Sequence, residues 1–228
     1  MAIATKENPY HLFDEFYTYD NRVFEISSYG KIEVSTANPL TFRCVINRGI
    51  PVLYADNNAV FEQKNVYEEE IINDKSYFKL IKKYYKIIDG IDGNTFNCIK
   101  DRWETVFWKD KNNIFTYADK KLIHLKNADV KTFEYLGFNL GKDKNNIYYL
   151  NQIINIDSKN YTLNINGFIY DDKNVYHYNN NLNLDGKTFK VIEYANKTNP
   201  FLGVFILEDK NGQYKYEHTH KFTGFRQT

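Results

Sequence analysis

The chain has 228 residues, and its 30 Lys and Arg against 29 Asp and Glu give a formal net charge of +1. This balance removes the usual electrostatic argument for a nucleic-acid partner, which would need a basic excess or a basic stripe. The 2 cysteines are too few for a disulfide scaffold, and the 20 Tyr and 17 Phe favour β-strands over long helices.

The start of the chain contains charged residues from Lys6 onward and no apolar run long enough for a secretory signal. The longest apolar run of the chain, residues 201–207, is too short to cross a bilayer and is typical of a buried strand. We therefore expect a cytoplasmic protein without a membrane span.

Weak copies of a repeated pattern begin at Asp20. Segments that resemble the clearer copies further along occur at residues 20–24, 56–61 and 90–99. Residues 1–19 carry no copy and are predicted to be an N-terminal extension. Residues 20–99 are predicted to be an array of degenerate β repeats.

Residues 64–88 are ambiguous in this array. Their apolar residues also fit helical spacing, and Glu68, Glu69 and Glu70 would suit the first turn of a helix. Residues 74–79, however, match the repeat pattern of residues 185–190 closely. We predict strands here, and a short helix within residues 64–88 is the alternative.

The clearest repeats lie within residues 108–195. The sequence Asp-Lys-Asn-Asn-Ile-Phe at residues 110–115 returns as Asp-Lys-Asn-Asn-Ile-Tyr at residues 143–148. A third copy, one residue shorter, is assigned to residues 172–176. Asp can accept a backbone N–H two residues on, and Asn tolerates left-handed backbone, so each copy predicts a hairpin turn.

A second signature follows each of these copies. It is an Asp-led turn that runs into an aromatic residue, and the aromatic residues Phe133, Tyr161 and Phe189 lie 28 residues apart. A fixed period of about 30 residues indicates a repeat architecture. Each repeat is predicted to contain about three short antiparallel strands, which are stable only when stacked on neighbouring repeats.

These patterns predict an all-β fold of tandem repeats of short antiparallel strands, forming an elongated β-meander or solenoid. A closed propeller-like ring is the alternative, since closure would remove exposed sheet edges. Residues 100–217 are predicted to be the regular repeats and residues 218–228 a C-terminal tail. All repeats are expected to form one continuous domain.

The repeats resemble those of the DKNYY family, bacterial repeat proteins named for an Asp-Lys-Asn-Tyr-Tyr signature. The segments that carry the resemblance are residues 110–115, 143–149, 172–176, 129–133 and 185–189. The resemblance is clear over residues 103–194 and looser over residues 20–99. It implies a repeat architecture and a bacterial source, and because the family has no established enzymatic activity it transfers no catalytic residue.

The sequence predicts no catalytic, cofactor-binding or metal-binding residue. His218 and His220 would share one face of a strand, but no third ligand follows from the spacing, and a solvated strand is the favoured interpretation. The Asp-rich residues 89–94 and 209–212 resemble the start of calcium loops, but they coincide with repeat turns that need Asp, Asn and Gly for backbone reasons.

Five residues are the candidate partner-binding positions. Trp103 and Trp108 could form an aromatic platform, with core packing as the alternative. Glu68, Glu69 and Glu70 could capture a basic partner, with a solvated loop or helix end as the alternative.

Stacked β repeats without a catalytic constellation favour a non-enzymatic protein-binding scaffold. Within that class we expect a bacterial immunity protein that binds and neutralises a cognate toxin. The alternative is a carbohydrate or cell-envelope binding module, suggested by the abundance of Tyr and Asn. A hydrolase is a third hypothesis, and it would require two carboxylates of divergent pKa that face each other.

Overall fold

The computed structural model describes residues 5–46, 51–73, 75–100, 106–194 and 202–219. Every regular element in these residues is a β-strand, so the predicted all-β fold is confirmed. The chain divides into two compact units, residues 1–135 and residues 136–228. No helix in the described part of the chain is long and apolar enough to cross a membrane.

The strands of the described residues form six antiparallel sheets, in each of which neighbouring strands follow one another along the chain. Sheet I consists of β1 (Tyr10–Phe13), β2 (Phe16–Tyr19), β3 (Arg22–Ser27) and β4 (Gly30–Val34). Sheet II consists of β5 (Arg43–Ile46), β6 (Leu53–Ala55), β7 (Val60–Ile72) and β8 (Lys75–Ile88). Sheet III consists of β9 (Asn97–Cys98), β10 (Phe107–Lys109), β11 (Ile114–Ala118) and β12 (Lys121–His124).

The second half of the chain repeats this plan. Sheet IV consists of β13 (Glu134–Gly137), β14 (Leu140–Lys142), β15 (Ile147–Tyr149) and β16 (Gln152–Ile154). Sheet V consists of β17 (Thr162–Leu163), β18 (Phe168–Tyr170), β19 (Val175–His177) and β20 (Asn180–Asn181). Sheet VI consists of β21 (Lys190–Tyr194), β22 (Leu202–Asp209) and β23 (Gly212–Thr219).

Two expectations need correction, and one open choice is decided. Sheets I to V have four strands each, not about three, because the Asp-led second signature lies between sheets rather than within one. The expected N-terminal extension supplies β1 and β2 of sheet I. The strands predicted within residues 64–88 are confirmed, because those residues pair antiparallel as β7 and β8, with Glu68 opposite Lys79, and the alternative helix does not form.

Each unit is held together by cores that lie between consecutive sheets. In the first unit one core joins sheets I and II around Phe16 and Phe61, and another joins sheets II and III around Leu53 and Trp108. The second unit has one core between sheets IV and V and one between sheets V and VI. Each small sheet therefore buries its apolar side chains against its neighbour, as expected of a repeat architecture.

The aspartate that opens the first signature shapes the turn between the second and third strands of a sheet. In sheet III, Oδ1 of Asp110 accepts the backbone N–H groups of Asn112 at 2.8 Å and Asn113 at 2.7 Å. Its Oδ2 accepts the backbone N–H of Asp92, which lies in the connection from sheet II, at 3.1 Å. One carboxylate thus fixes its own turn and clamps the turn that leads into its sheet.

This clamp recurs in both units of the chain. The matching bonds from the incoming connection are Asn38 to Asp56 (2.7 Å), Asp157 to Asp171 (2.9 Å) and Asp185 to Asp209 (2.9 Å). They explain why these copies begin with Asp: the carboxylate accepts backbone N–H groups both from its own turn and from the incoming connection.

The clamp shows that the third copy of the signature begins at Asp171 and not at Asp172. Oδ1 of Asp171 accepts the N–H groups of Lys173 and Asn174, both at 2.8 Å, whereas the Asp172 side chain is exposed. The copy is therefore not shortened. Its second residue is Asp where the others have Lys, and this shifted the apparent alignment by one position.

The second signature completes the link between sheets. Nζ of Lys210, next to the clamp in sheet VI, lies 2.7 Å from Oδ2 of Asp185. The backbone N–H of Lys210 donates to Oγ1 of Thr188 at 2.9 Å, and that hydroxyl donates to Oδ1 of Asp185 at 2.8 Å. Together with Thr188, Lys210 lowers the pKa of Asp185, so the carboxylate is held in its charged form. The signature residues thus serve the architecture.

Candidate functional site

The most unusual element of the structure is the hairpin of β7 and β8. These strands have 13 and 14 residues, whereas the third and fourth strands of sheets I, III, IV and V have at most 6. We call residues 65–72 and 75–82 of this hairpin the arm. At about 3.3 Å per residue, each of its strands extends about 25 Å. The repeat pattern does not require this extension.

The two faces of the arm differ in chemistry. Because successive side chains of a strand alternate between faces, Tyr67, Glu69 and Ile71 share one face with Phe78 and Leu80 of the paired strand. We call this the apolar face. The charged face carries Val66, Glu68, Glu70, Ile72, Lys75, Tyr77, Lys79 and Lys82. A register shift between Val66 and Tyr67 leaves Ile81 without an opposite residue.

The apolar face is open to solvent. Tyr67 is 48 %, Ile71 70 % and Phe78 62 % exposed, although these are side chains that usually lie in a core. Leu80 is half-buried opposite Tyr67. A cluster of exposed apolar side chains on a folded protein commonly marks an interaction surface.

The base of the hairpin, by contrast, is fixed on both sides. Phe61 and Tyr85 pack on sheet I, and Val60 and Ile88 pack on sheet III. The buried carboxylate of Glu25 forms an ion pair with Lys83 and accepts a hydrogen bond from the Tyr85 hydroxyl at 2.6 Å. The arm is therefore a projection from a rigid base.

Glu15 and Glu25 form a carboxylate pair beside this base. Burial, followed by a hydrogen bond to Glu25 and its charge, raises the pKa of Glu15. The pair resembles the arrangement required by the hydrolase hypothesis, but the two oxygens of Glu25 are bound to Lys83 and Tyr85. Glu25 therefore anchors the hairpin.

The structure separates the predicted partner-binding residues. Glu68, Glu69 and Glu70 are all exposed on β7, with Glu69 on the apolar face and the other two on the charged face. Trp108 is 1 % exposed and belongs to the core between sheets II and III, so its core interpretation is the one that fits. Trp103 lies outside the described residues.

The polar clusters considered as metal sites have structural partners where they are described. Asp92 bonds to Lys111 and Thr95, and Asp209 accepts the N–H groups of Asn211 and Asp185. Within the residues that the structure describes, no group of three or more His, Cys, Asp or Glu side chains could hold a metal ion. The side chain of His218 and the whole of His220 lie outside that part.

Sequence reasoning missed Tyr67, Ile71, Phe78 and Leu80 as site residues. The available signal was the length between two signatures: residues 60–88 contain far more chain than the third and fourth strands of a repeat need. Their apolar residues fit the spacing of a strand or of a helix, but periodicity identifies a face and does not show what covers it.

Comparison with known proteins agrees with the repeats described above. Neither the curated proteins nor the solved structures include a match to this chain. The model of the DKNYY family matches residues 6–152, which include the arm and the strands β1 and β2. This match covers more than half of the chain, and the chain therefore belongs to the DKNYY family.

Proposed function

We propose that this protein is a non-enzymatic protein-binding scaffold and that its partner contacts the arm. The observation that supports this most directly is the apolar face, with Ile71 70 % and Phe78 62 % exposed. Burying such side chains is favourable by about 25 cal/mol per Å² of apolar surface. A partner that covers the arm would gain this free energy, and the repeat itself gains nothing from the extension.

The arrangement of the signature residues supports the same proposal. Their carboxylates, lysines and threonines bind backbone groups and one another across consecutive sheets. These residues stabilise the stacked sheets, so the specificity for a partner would lie in residues outside the repeat consensus. Loops and extensions on a rigid scaffold commonly carry binding function.

More narrowly, we propose that the partner is a bacterial toxin that this chain neutralises. An immunity protein needs only to cover a toxin surface, and a hairpin that projects from an anchored base is suited to that task. The carbohydrate alternative has less support, because Trp108 is in the core and many Asn side chains of the turns bond to the chain itself.

The test uses a triple variant of the apolar face, Tyr67→Ser, Ile71→Ser and Phe78→Ser. Its matched control changes three exposed apolar residues elsewhere, Tyr29→Ser, Leu40→Ser and Ile165→Ser. Tagged chains are cross-linked in the source cells, and captured proteins are identified by mass spectrometry. We expect one partner to be captured by the intact chain and the control but lost from the triple variant.

The partner is then expressed alone and with each chain in a laboratory bacterium. We expect it to slow growth alone, and the intact chain and the control, but not the triple variant, to restore growth. A partner retained equally by the triple variant would contradict a role for the arm. A partner that depends on the arm but leaves growth unaffected would contradict the immunity function alone.

A further inference from the structure

The chemistry of the arm indicates what kind of protein surface it fits. Resting on the proposed function, we propose that the apolar face docks on a protein surface that presents an Arg or Lys side chain among apolar side chains, and that this cation pairs with Glu69.

Glu69 is the glutamate of the arm that lies among the side chains of the apolar face. It lies opposite Phe78, and its neighbours along the same face of β7 are Tyr67 and Ile71. Glu68, in contrast, lies opposite Lys79 on the charged face. Among the residues that the structure describes, no cation lies within ion-pair distance of Glu69.

Docking on this face would remove Glu69 from water together with its apolar neighbours. Burying an unpaired carboxylate is strongly unfavourable. A carboxylate that pairs with a cation in good geometry replaces its lost hydrogen bonds to water, and the cost of burial is reduced. A partner that offered only apolar side chains would lose much of the gain from covering Phe78. The complementary partner therefore combines apolar contact with one basic group, and Arg suits this role because it pairs with carboxylates through two N–H groups.

A second copy of the chain does not provide this complement. Two apolar faces brought together by a two-fold axis would place Glu69 near its own equivalent. Lys83 is a cation on the same side of the hairpin as the apolar face, but it is already paired with the buried Glu25. Symmetric pairing at the strand edges would likewise set Glu68–Glu70 against acidic residues, or Lys75, Lys79 and Lys82 against lysines, and such like-charge pairs are unfavourable.

The experiment selects random 16-residue peptides displayed on phage against the full chain, with prior removal of peptides that bind the triple variant of the apolar face. Binding of the selected peptides is measured by fluorescence anisotropy with Glu69→Lys and Phe78→Ser. Matched controls on the charged face are Glu70→Lys and Tyr77→Ser. All four positions are exposed strand residues, and circular dichroism checks that each variant is folded.

We expect the selected peptides to combine an Arg or Lys with aromatic or aliphatic residues. Glu69→Lys and Phe78→Ser should each weaken binding about tenfold or more, and the controls should change it less than about threefold. Replacing the basic residue of the peptide by Ala should weaken binding to the intact chain but not further weaken binding to Glu69→Gln, as a double-mutant cycle requires for a direct pair.

The contrary outcomes are distinct. Acidic or uncharged peptides, or peptides insensitive to Glu69→Lys, would overturn the inference, as would a selection that yields no binder. Sensitivity to Glu70→Lys and Tyr77→Ser instead would place the contact on the charged face, overturning the inference but not the role of the arm. Concentration-dependent dimers in sedimentation that Phe78→Ser abolishes would identify a second copy as the occupant and overturn it also. Capture of the cellular partner by the triple variant as well as by the intact chain would instead contradict the proposed function.

Discussion

At the scale of single residues, a turn aspartate in this protein serves two segments at once. Asp171 accepts the N–H groups of Lys173 and Asn174 in its own turn and that of Asp157 in the connection from sheet IV. Removing the carboxylate leaves these donors without their acceptor. Because hydrogen bonds to a charged group contribute more than neutral ones, the loss should be measurable in a single substitution.

We therefore expect Asp171→Ala to lower the free energy of unfolding by about 2 kcal/mol. Asp172→Ala should change it by less than about 0.5 kcal/mol, because that side chain is exposed. Equilibrium unfolding in urea, followed by circular dichroism, measures both. If Asp172→Ala were the more damaging substitution, the third copy of the signature would begin at Asp172 and not at Asp171.

Gly186 illustrates a different residue-scale constraint, the close approach of two backbone segments. A Cβ at this position would lie 1.9 Å from the carbonyl oxygen of Asp171. Since backbone atoms cannot move aside as a flexible side chain can, the second signature must shift away from the clamp turn.

Gly186→Ala is therefore expected to destabilise the chain by about 2 kcal/mol. Lys187→Ala, at the exposed next position, is the control and should have little effect. Thermal unfolding of the two variants provides the comparison. A melting temperature of Gly186→Ala equal to that of the intact chain would show that the turn can move freely.

At the scale of elements, the long hairpin depends on the anchor at its base. Glu25 on β3 is 2 % exposed and binds both Lys83 and Tyr85 of β8. Burial, followed by the bond to Glu25, raises the pKa of the Tyr85 hydroxyl, so the hydroxyl stays protonated and donates. Breaking this cluster would leave the Lys83 ammonium unpaired in a mostly buried site.

We expect Glu25→Ala to cost about 3 kcal/mol of stability, since removing one partner of a buried ion pair strands the other. The control is Glu33→Ala in the same sheet, which removes the exposed pair with Arg22 and should cost less than about 1 kcal/mol. Hydrogen exchange should also show faster opening of the amides of β8 near residues 83–86 in Glu25→Ala. Equal losses of stability in Glu25→Ala and Glu33→Ala would show that Glu25 does not anchor the hairpin.

The elements also show which parts of the fold the sequence could predict. The hairpin turns and strands followed from Asp, Asn and aromatic spacing, because those requirements are local. The alignment at Asp171 did not follow, because Asp172 matches the local pattern equally well and only the contact with Asp157 distinguishes them. The open apolar face did not follow either, because the exposure of Phe78 depends on the absence of a covering sheet, which is a property of the tertiary structure.

At the scale of the whole molecule, the aspartates of the repeat turns make stability depend on pH. Asp92, Asp171, Asp185 and Asp209 all have a pKa below the ordinary Asp value of 3.8. For Asp92 the largest cause is the bond from Lys111, and for Asp209 it is the backbone N–H of Asp185. In Asp171, burial raises the pKa, but the backbone N–H groups led by that of Asp157 outweigh it.

Glu15 acts in the opposite direction. Its pKa is raised above the ordinary value of 4.5 by burial and by Glu25, so the folded state binds its proton more tightly than the unfolded chain does. Its contribution to stability is present below pH 4.5 and is lost as the pH rises through the raised value. Glu15→Gln should therefore flatten the part of the stability profile just above pH 4.5, with little effect on the clamps.

For these four aspartates the lowered pKa means that the unfolded chain takes up protons first as the pH falls. Their stabilisation is complete above the unfolded value of 3.8 and is lost as the pH falls through the lower folded values. We expect urea unfolding to show a steep loss of stability below about pH 4. Asp209→Asn should be less stable at pH 6 and lose stability less steeply below pH 4, because one proton-linked group is gone. An acid slope unchanged by Asp209→Asn would show that the turn carboxylates do not control acid unfolding.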